Sequence, residues 1–425
     1  MLMIGALRQI WGVSELREKI LFILGVLVVY RFAANIPLPG VDVLALRSLF
    51  EENQLLGLLN IFSGGGLSNI SIVLLGVAPY ITASIIMQLM TMISPQLEKL
   101  HKEEGEAGRQ KFNMWTRWLT VPLATVQSFA MISLLRSQNV LGDLSPFMMA
   151  VMVVTAVAGT VFLMWLGELI TEKGLGNGVS IMIFAGIIAG VPTAFARLFS
   201  TWDASQAFTY ILFFLIALVT IAGVVLVNDG QRIIPISYAK RLRGSRVYGG
   251  AATHLPLKVN QAGVIPIIFA VSIILIPSMI ASYFAQQGGG TVADIAIAVN
   301  AFLQNPWIYS GMYFVLVAVF TYFYTAVIFD PYKISENLQK QGGFIPGIRP
   351  GTATAEYLGR IINRITLAGA IFLGSIAVLP FIVQNVTNIQ ALQLGGVSVL
   401  IVVSVVLEII KQMQGQLSMR NYEGF

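Results

Sequence analysis

Ten apolar stretches, at about 19–36, 72–94, 114–135, 147–170, 179–199, 207–228, 262–284, 309–330, 365–385 and 393–412, dominate this chain of 425 residues. A helix needs about 20 mostly apolar residues to cross the hydrocarbon core of a bilayer, and each stretch approaches that length. No water in that core can satisfy backbone N–H and C=O groups, so a bundle of spanning helices is the fold open to such a chain. Composition agrees, because only 11% of residues are charged where a soluble domain carries about 25%. The fifth stretch is the least regular, interrupted by Gly186, Gly190 and Pro192. An even number of crossings places both termini on one side.

One segment breaks the pattern. From Leu59 to Met92 the chain runs LNIFSGGGLSNISIVLLGVAPYITASIIMQLMTM. Asn60 to Ser71 is too short, too glycine-rich and too polar to cross. Ile72 to Ile93 is long enough, with Pro79 inside it. Irregular backbone at membrane depth is tolerated only where protein or a water-filled cavity surrounds it. The segment therefore predicts an enclosed cavity with something small lodged in it.

Charge orients the bundle. Of the 26 lysines and arginines, 22 fall on one face of the predicted layout, and only Arg31, Arg47, Arg136 and Arg197 fall on the other. The crowded face is the cytoplasmic one, so both termini are expected there. Trp115, Trp118, Trp165, Trp202 and Trp307 lie near predicted span ends, where amphipathic rings prefer to sit. The first 18 residues lack the apolar core and cleavage site of a signal peptide. Ile4, Leu7, Ile10, Trp11 and Leu16 instead predict an amphipathic helix on the membrane surface, and residues 413–425 form a cytoplasmic tail.

Two cytoplasmic connections, 229–261 and 331–364, are long for loops without a task. The first alternates apolar and polar residues and predicts a hairpin. The second carries GGFIPGIRPG, a turn-rich tip that displays Arg349. Setting topology needs only a few charges near span ends, so these excursions predict docking of a large cytoplasmic partner. The span count divides into halves, 19–200 and 201–412, although no residue-level identity relates them; inverted repeats are common in membrane transport folds.

The chain has no cysteine and two histidines, His101 and His254, both in polar connections, so neither thiolate chemistry nor a histidine-rich metal site is expected. No GxxxxGK[ST] occurs, and GLGNG at 174–178 follows an apolar span rather than a strand, so it predicts a tight turn and not a nucleotide loop. No catalytic residue and no cofactor are expected. Ion-coupled transporters carry acidic or histidine residues near mid-span. Here Glu168, Asp229, Asp330 and Glu408 fall near cytoplasmic span ends, and the mid-span polar residues (Thr82, Ser84, Gln88, Gln127, Ser128 and Ser272) are uncharged. Any passage through the bundle would be gated by apolar packing that excludes water by dewetting.

A set of long, ordered motifs then narrows the reading: IPLPG (36–40), FSGGGLSNISI (62–72), APYITASIIMQL (78–89), EGEAGRQK (104–111), TEKGLGNGVSIMIFAG (171–186), RVYGGAATHLPLKVNQAGVIPIIFA (246–270), VIFDPYKISENLQKQGGFIPGIRPG (327–351) and the closing YEGF. Over essentially its whole length the chain resembles the SecY family, the channel subunits of the bacterial protein-conducting translocon. The resemblance implies an all-α membrane fold of ten transmembrane helices in two pseudo-symmetric five-helix halves, with a short plug helix and extended cytoplasmic loops. It implies a pore ring of Val77, Ile81, Ile183, Ile268 and Ile401, with Val179 and Ile265 lining the same region. It implies a plug formed by Phe62, Ser63, Gly64, Gly65, Gly66, Leu67, Ser68, Asn69 and Ile70. A lateral gate would open between the second and seventh spans, with Thr82, Gln88, Gln127 and Ser272 as polar contacts. Lys240, Arg241, Arg243, Arg246 and Arg349 would dock the motor ATPase SecA or the ribosome, whose RNA presents a dense phosphate surface. Where the family usually carries two adjacent basic residues before VY, this chain has Ser245-Arg246. Further implied partners are SecE and SecG, signal sequences and nascent polypeptides, and membrane lipids. The implied location is the bacterial plasma membrane, and the implied function a passive channel, not an enzyme, that passes unfolded chains across and releases apolar segments sideways into lipid. The competing reading from another class, a secondary transporter for a small solute, would need the mid-span charge that is missing; an insertase without a pore is a third.

Overall fold

The computed structural model describes residues 13–38, 70–102, 104–137, 141, 145–200, 207–238, 241–243, 246–248, 252–286, 290–387 and 396–423. Each of the ten predicted stretches falls on a helix. In chain order these are α1 (Ser14–Ala34), α2 (Ala78–Ile93), then short α3 (Pro95–Lys102), α4 (Gly105–Ser137), α5 (Pro146–Lys173), α6 (Gly178–Ser200) and α7 (Ala207–Asp229). A β-hairpin region follows: β1 (Gln231–Tyr238), β2 (Arg241–Arg243), β3 (Arg246–Tyr248) and β4 (Ala252–Lys258). The chain then continues through α8 (Ile265–Gln286), α9 (Thr291–Gln304), α10 (Pro306–Ile328), α11 (Pro331–Lys340), β5 (Gly343–Phe344), α12 (Thr352–Thr387) and α13 (Gly396–Glu423). Six of the described helical stretches are long and apolar enough on their own to cross a membrane. Large apolar side chains such as Val28, Phe32, Phe147, Phe208 and Leu226 lie exposed on the helix surfaces, as lipid-facing groups do.

Several boundaries differ from the sequence expectation. The second span is shorter: residues 72–77 are turns, and α2 has 16 residues, about 24 Å at 1.5 Å per residue. Pro79 therefore does not interrupt a crossing. It occupies the first turn of α2, where its missing N–H would have had no partner anyway. Ser14 to Glu18 belong to α1 and not to a separate surface helix; Leu16 is buried against Leu175, with Ile20, Met413 and Leu417 packed around them. Ile4, Leu7, Ile10 and Trp11 lie outside the described residues. Residues 352–364 of the second long connection are not a loop but the first turns of α12. The sequence reading also missed α9, which is apolar but only 14 residues long.

The turn before α2 is held from both sides. The Leu38 N–H donates to the Ile70 carbonyl at 2.8 Å, and the Ile72 N–H donates to the Ile36 carbonyl at 2.9 Å. Ile36 and Leu38 thus clamp the root of α2 to the end of α1. Ile70 pays for this geometry with φ at 38°, a left-handed conformation that costs a β-branched residue of order 1–3 kcal/mol. Leu38, Ile70, Leu74 and Leu75 then pack with Met131, Ile132 and Leu135 of α4 and with Met152, Val153 and Ala156 of α5. At Gly159 on α5, an added Cβ would overlap the Ile72 carbonyl oxygen. The irregular backbone is thus enclosed by protein, as its polarity at membrane depth requires.

The GLGNG turn is a turn. The Asn177 side chain accepts from the Ser180 N–H at 3.2 Å to cap α6, and the Gly178 N–H donates to the Thr171 hydroxyl at 2.9 Å. Gly178 sits so close to the Gly167 carbonyl that no Cβ fits, which lets α6 fold directly back on α5.

Candidate functional site

The residues implied as a pore ring come from separate elements. Val77 caps the N-terminus of α2 and Ile81 lies on its first turn; Ile183 is on α6, Ile268 on α8 and Ile401 on α13. Tertiary packing brings all five into one apolar cluster, none more than 7% exposed, with Val179 and Ile265 partly buried against it. That cluster is a large one drawn from many helices, and none of its buried members carries a charge.

The second and seventh predicted spans, α2 and α8, pack together, and α8 also contacts α4 and α10. Of the four polar residues implied at the gate, three bond within their own helices. The Thr82 hydroxyl donates to the Ala78 carbonyl at 3.0 Å, and the Ser272 hydroxyl to the Ile268 carbonyl at 2.9 Å. Gln88 donates to the Ser84 hydroxyl at 3.2 Å, leaving its own Oε1 buried without a partner. Gln127 is half-buried on α4. Each hydroxyl satisfies itself on its own helix, so the α2–α8 contact needs no interhelical hydrogen bond to close.

Of the predicted plug, residues 62–69 lie outside the described residues, and Ile70 is the turn residue that pairs with Leu38. Of the docking residues, Lys240 also lies outside them. Arg241, Arg243 and Arg246 belong to a small ribbon in which β2 pairs with β3, Arg243 opposite Arg246. The larger hairpin forms as predicted: β1 pairs antiparallel with β4 from Gln231 opposite Lys258 to Ser237 opposite Ala252.

The two long connections turn out to be one structure. β5 adds to the free edge of β1, with Ser237 opposite Phe344 and Tyr238 opposite Gly343, giving the order β4-β1-β5. Beneath this sheet Ile234, Leu257 and Ile345 bury against Leu358, Ile361 and Ile362 from the first turns of α12. The tip holding Arg349 is braced as well: the Ser335 hydroxyl donates to the Gly351 carbonyl at 2.6 Å and the Thr354 hydroxyl to the Arg349 carbonyl at 2.9 Å. Arg349 itself is exposed.

The acidic residues at span ends have specific partners. Glu168 pairs with Arg117 at 2.8 Å, joining α5 to α4, and Asp229 pairs with Lys411 at 2.7 Å, joining α7 to α13. Asp330 caps α11 by accepting from the Tyr332 and Lys333 N–H groups at 3.0 and 3.3 Å. The sequence reading missed a polar junction between Asn228, Asn260 and Ser404. The Asn260 amide donates to the Asn228 Oδ1 at 2.8 Å, and the Asn228 amide donates to the Ser404 hydroxyl at 2.7 Å. Only the proximity of α7, the hairpin base and α13 gives those residues a common role. Among the described residues, no group of acidic residues and histidines could hold a metal ion.

Comparison with known proteins identifies the family. The SecY family model matches residues 71–410. The chain is 44% identical over 431 residues to the protein translocase subunit SecY of Mycobacterium leprae (strain TN), covering 97% of each chain. It is 44% identical over 441 residues to the subunit of the same name from Corynebacterium glutamicum, covering 99% of each. Its fold is similar to a solved structure described as the structure of a protein conducting channel, with a TM-score of 0.62 at 17% identity, over 92% of this chain and 90% of that one. It is also similar, with a TM-score of 0.59 at 17% identity and the same coverage, to Sec61 in the canine ribosome-channel complex.

Proposed function

The chain belongs to the SecY family, as a multi-pass plasma-membrane subunit of a protein-conducting channel, and from that premise we propose how its parts divide the work. Val77, Ile81, Ile183, Ile268 and Ile401 form the constriction through which an unfolded polypeptide passes, with Val179 and Ile265 beside it. Their burial in one apolar cluster carries this reading. Branched side chains can yield to a passing chain of any sequence and close behind it without admitting ions. Residues 62–70 plug the outer side. The α2–α8 contact is the gate through which apolar segments leave for lipid; with Thr82 and Ser272 satisfied on their own helices, the two can part without stranding a charge or breaking a bond between them. The halves 19–200 and 201–412 move relative to one another, and both termini are cytoplasmic.

The three-stranded sheet and the Arg349 tip form one basic docking platform for SecA or the ribosome, which supply the energy. SecE and SecG complete the complex. The ribosome-bound relative of similar fold supports this use of the cytoplasmic face, as does the shared sheet, which makes the two loops a single rigid surface. The test is binding of purified SecA, and separately of ribosomes, to the reconstituted complex carrying Arg349→Glu. Docking is expected to be lost, because the substitution reverses charge at the platform's exposed tip; undiminished binding of both partners would refute the platform.

A further inference from the structure

The polar junction at the hairpin base joins three parts of the molecule that the channel must coordinate. Asn260 lies two residues beyond β4 and five before α8, the helix bearing Ile265 and Ile268. It is 7% exposed. Asn228 is the penultimate residue of α7, and Ser404 stands on α13 three residues after Ile401, so the two share a helix face. The chain of amides from Asn260 through Asn228 to Ser404 therefore ends one turn from a ring residue. Parallel ties reinforce it. The Asp229–Lys411 ion pair lies one residue along α7. The Val259 N–H donates to the Gly230 carbonyl at 2.8 Å, and Gly369 on α12 lets its helix approach the Val259 carbonyl. The Oδ1 of Asn260 is buried without a donor, a cost that apolar packing at the same place would avoid.

We propose that Asn260, Asn228 and Ser404 act as a clasp that transmits the position of the docked cytoplasmic hairpin to Ile401 and the waist. A partner that tilts the sheet moves its base. Because the base is tied to α13 through Asn228 of α7, and runs straight into α8, the ring segments on both helices follow. Asn228 and Ser404 are positioning residues; neither touches the translocating chain. The inference rests on the docking platform proposed above.

The test uses the complete reconstituted complex with SecA and a purified unfolded preprotein, measuring motor affinity and translocation rate per docked motor separately. Ser404→Ala, which removes one part-buried hydrogen bond, is expected to leave affinity unchanged and to slow translocation roughly fivefold, and Asn228→Leu, which removes both bonds of the chain, to leave affinity unchanged and slow it roughly tenfold. The double variant is expected to be no slower than the worse single one, since both cut the same chain. Ser404→Thr, which keeps the hydroxyl, is expected to translocate normally. Unchanged rates in the single variants, multiplied losses in the double, or a fall in motor affinity that accounts for the slowing each overturn the clasp while leaving the platform intact. Normal docking by Arg349→Glu, run alongside, overturns the platform and the clasp together.

Discussion

Replacing Gly159 with alanine tests whether the turn before α2 holds the constriction in place. Gly159 lies in the middle of α5, where alanine is favoured over glycine by about 1 kcal/mol on backbone grounds alone. Against that gain stands a steric cost. The new Cβ would overlap the carbonyl of Ile72 and crowd the Cα of Val73. Both obstacles are backbone, so no rotamer change relieves them, and the turn or the helix must retreat by about 1 Å to reach ordinary contact distance. Overpacking of this kind costs about 1–3 kcal/mol, and the upper part of that range applies where backbone meets backbone. The net expectation is a loss of about 1 to 2 kcal/mol, with the turn displaced, and Val77 and Ile81 with it. Gly25 on α1 is the control, since an added Cβ there meets nothing within 4 Å; Gly25→Ala should be neutral or stabilising by up to about 1 kcal/mol. Thermal unfolding in detergent and halide efflux from proteoliposomes measure the two consequences. Gly159→Ala is expected to unfold at lower temperature and to leak more than Gly25→Ala. If both variants behave alike in both assays, the turn does not position the ring.

Exchanging Ile81 and Ile268 together for glycine removes two ring side chains and should raise halide efflux through the resting channel; an unaltered efflux would place the constriction elsewhere. Asp330→Ala removes the acceptor for two N–H groups at the start of α11 and should cost about 1 kcal/mol of local stability. Faster amide exchange across 331–340, with little change in α10, would show it. The Arg117–Glu168 pair is partly exposed, so a double-mutant cycle in which each is replaced by alanine should return a coupling of at most about 1 kcal/mol, diminished by salt.

Much of this architecture was legible because hydropathy is local. The ten spans needed only the count of consecutive apolar residues. The hairpin needed only the alternation from Gln231 to Tyr238 and from Ala252 to Lys258. The turn at 174–178 needed only its glycines and a capping asparagine. Inference was weaker where one residue type serves several environments. Pro79 looked like a break inside a span, and the fold made it a helix start because Ile36 and Leu38 had already committed the backbone of residues 70–72 elsewhere. The residues proposed for the ring are ordinary isoleucines and valines, which family resemblance nominated and which only tertiary packing places in one apolar cluster.

The sequence by itself determined that this chain lives in a membrane and which stretches form its long apolar helices. Each follows from the preference of a short segment for lipid or water, which does not depend on what lies beside it. Tertiary structure alone decided that the two long connections become one sheet through a two-residue strand, that Thr82 and Ser272 bond within their own helices, and that Asn228, Asn260 and Ser404 form a chain. A two-residue strand has no periodicity to read, and a hydroxyl or amide bonds whichever group the fold brings within about 3 Å. Those contacts link residues as far apart as 176 positions, a separation across which local pattern carries no information.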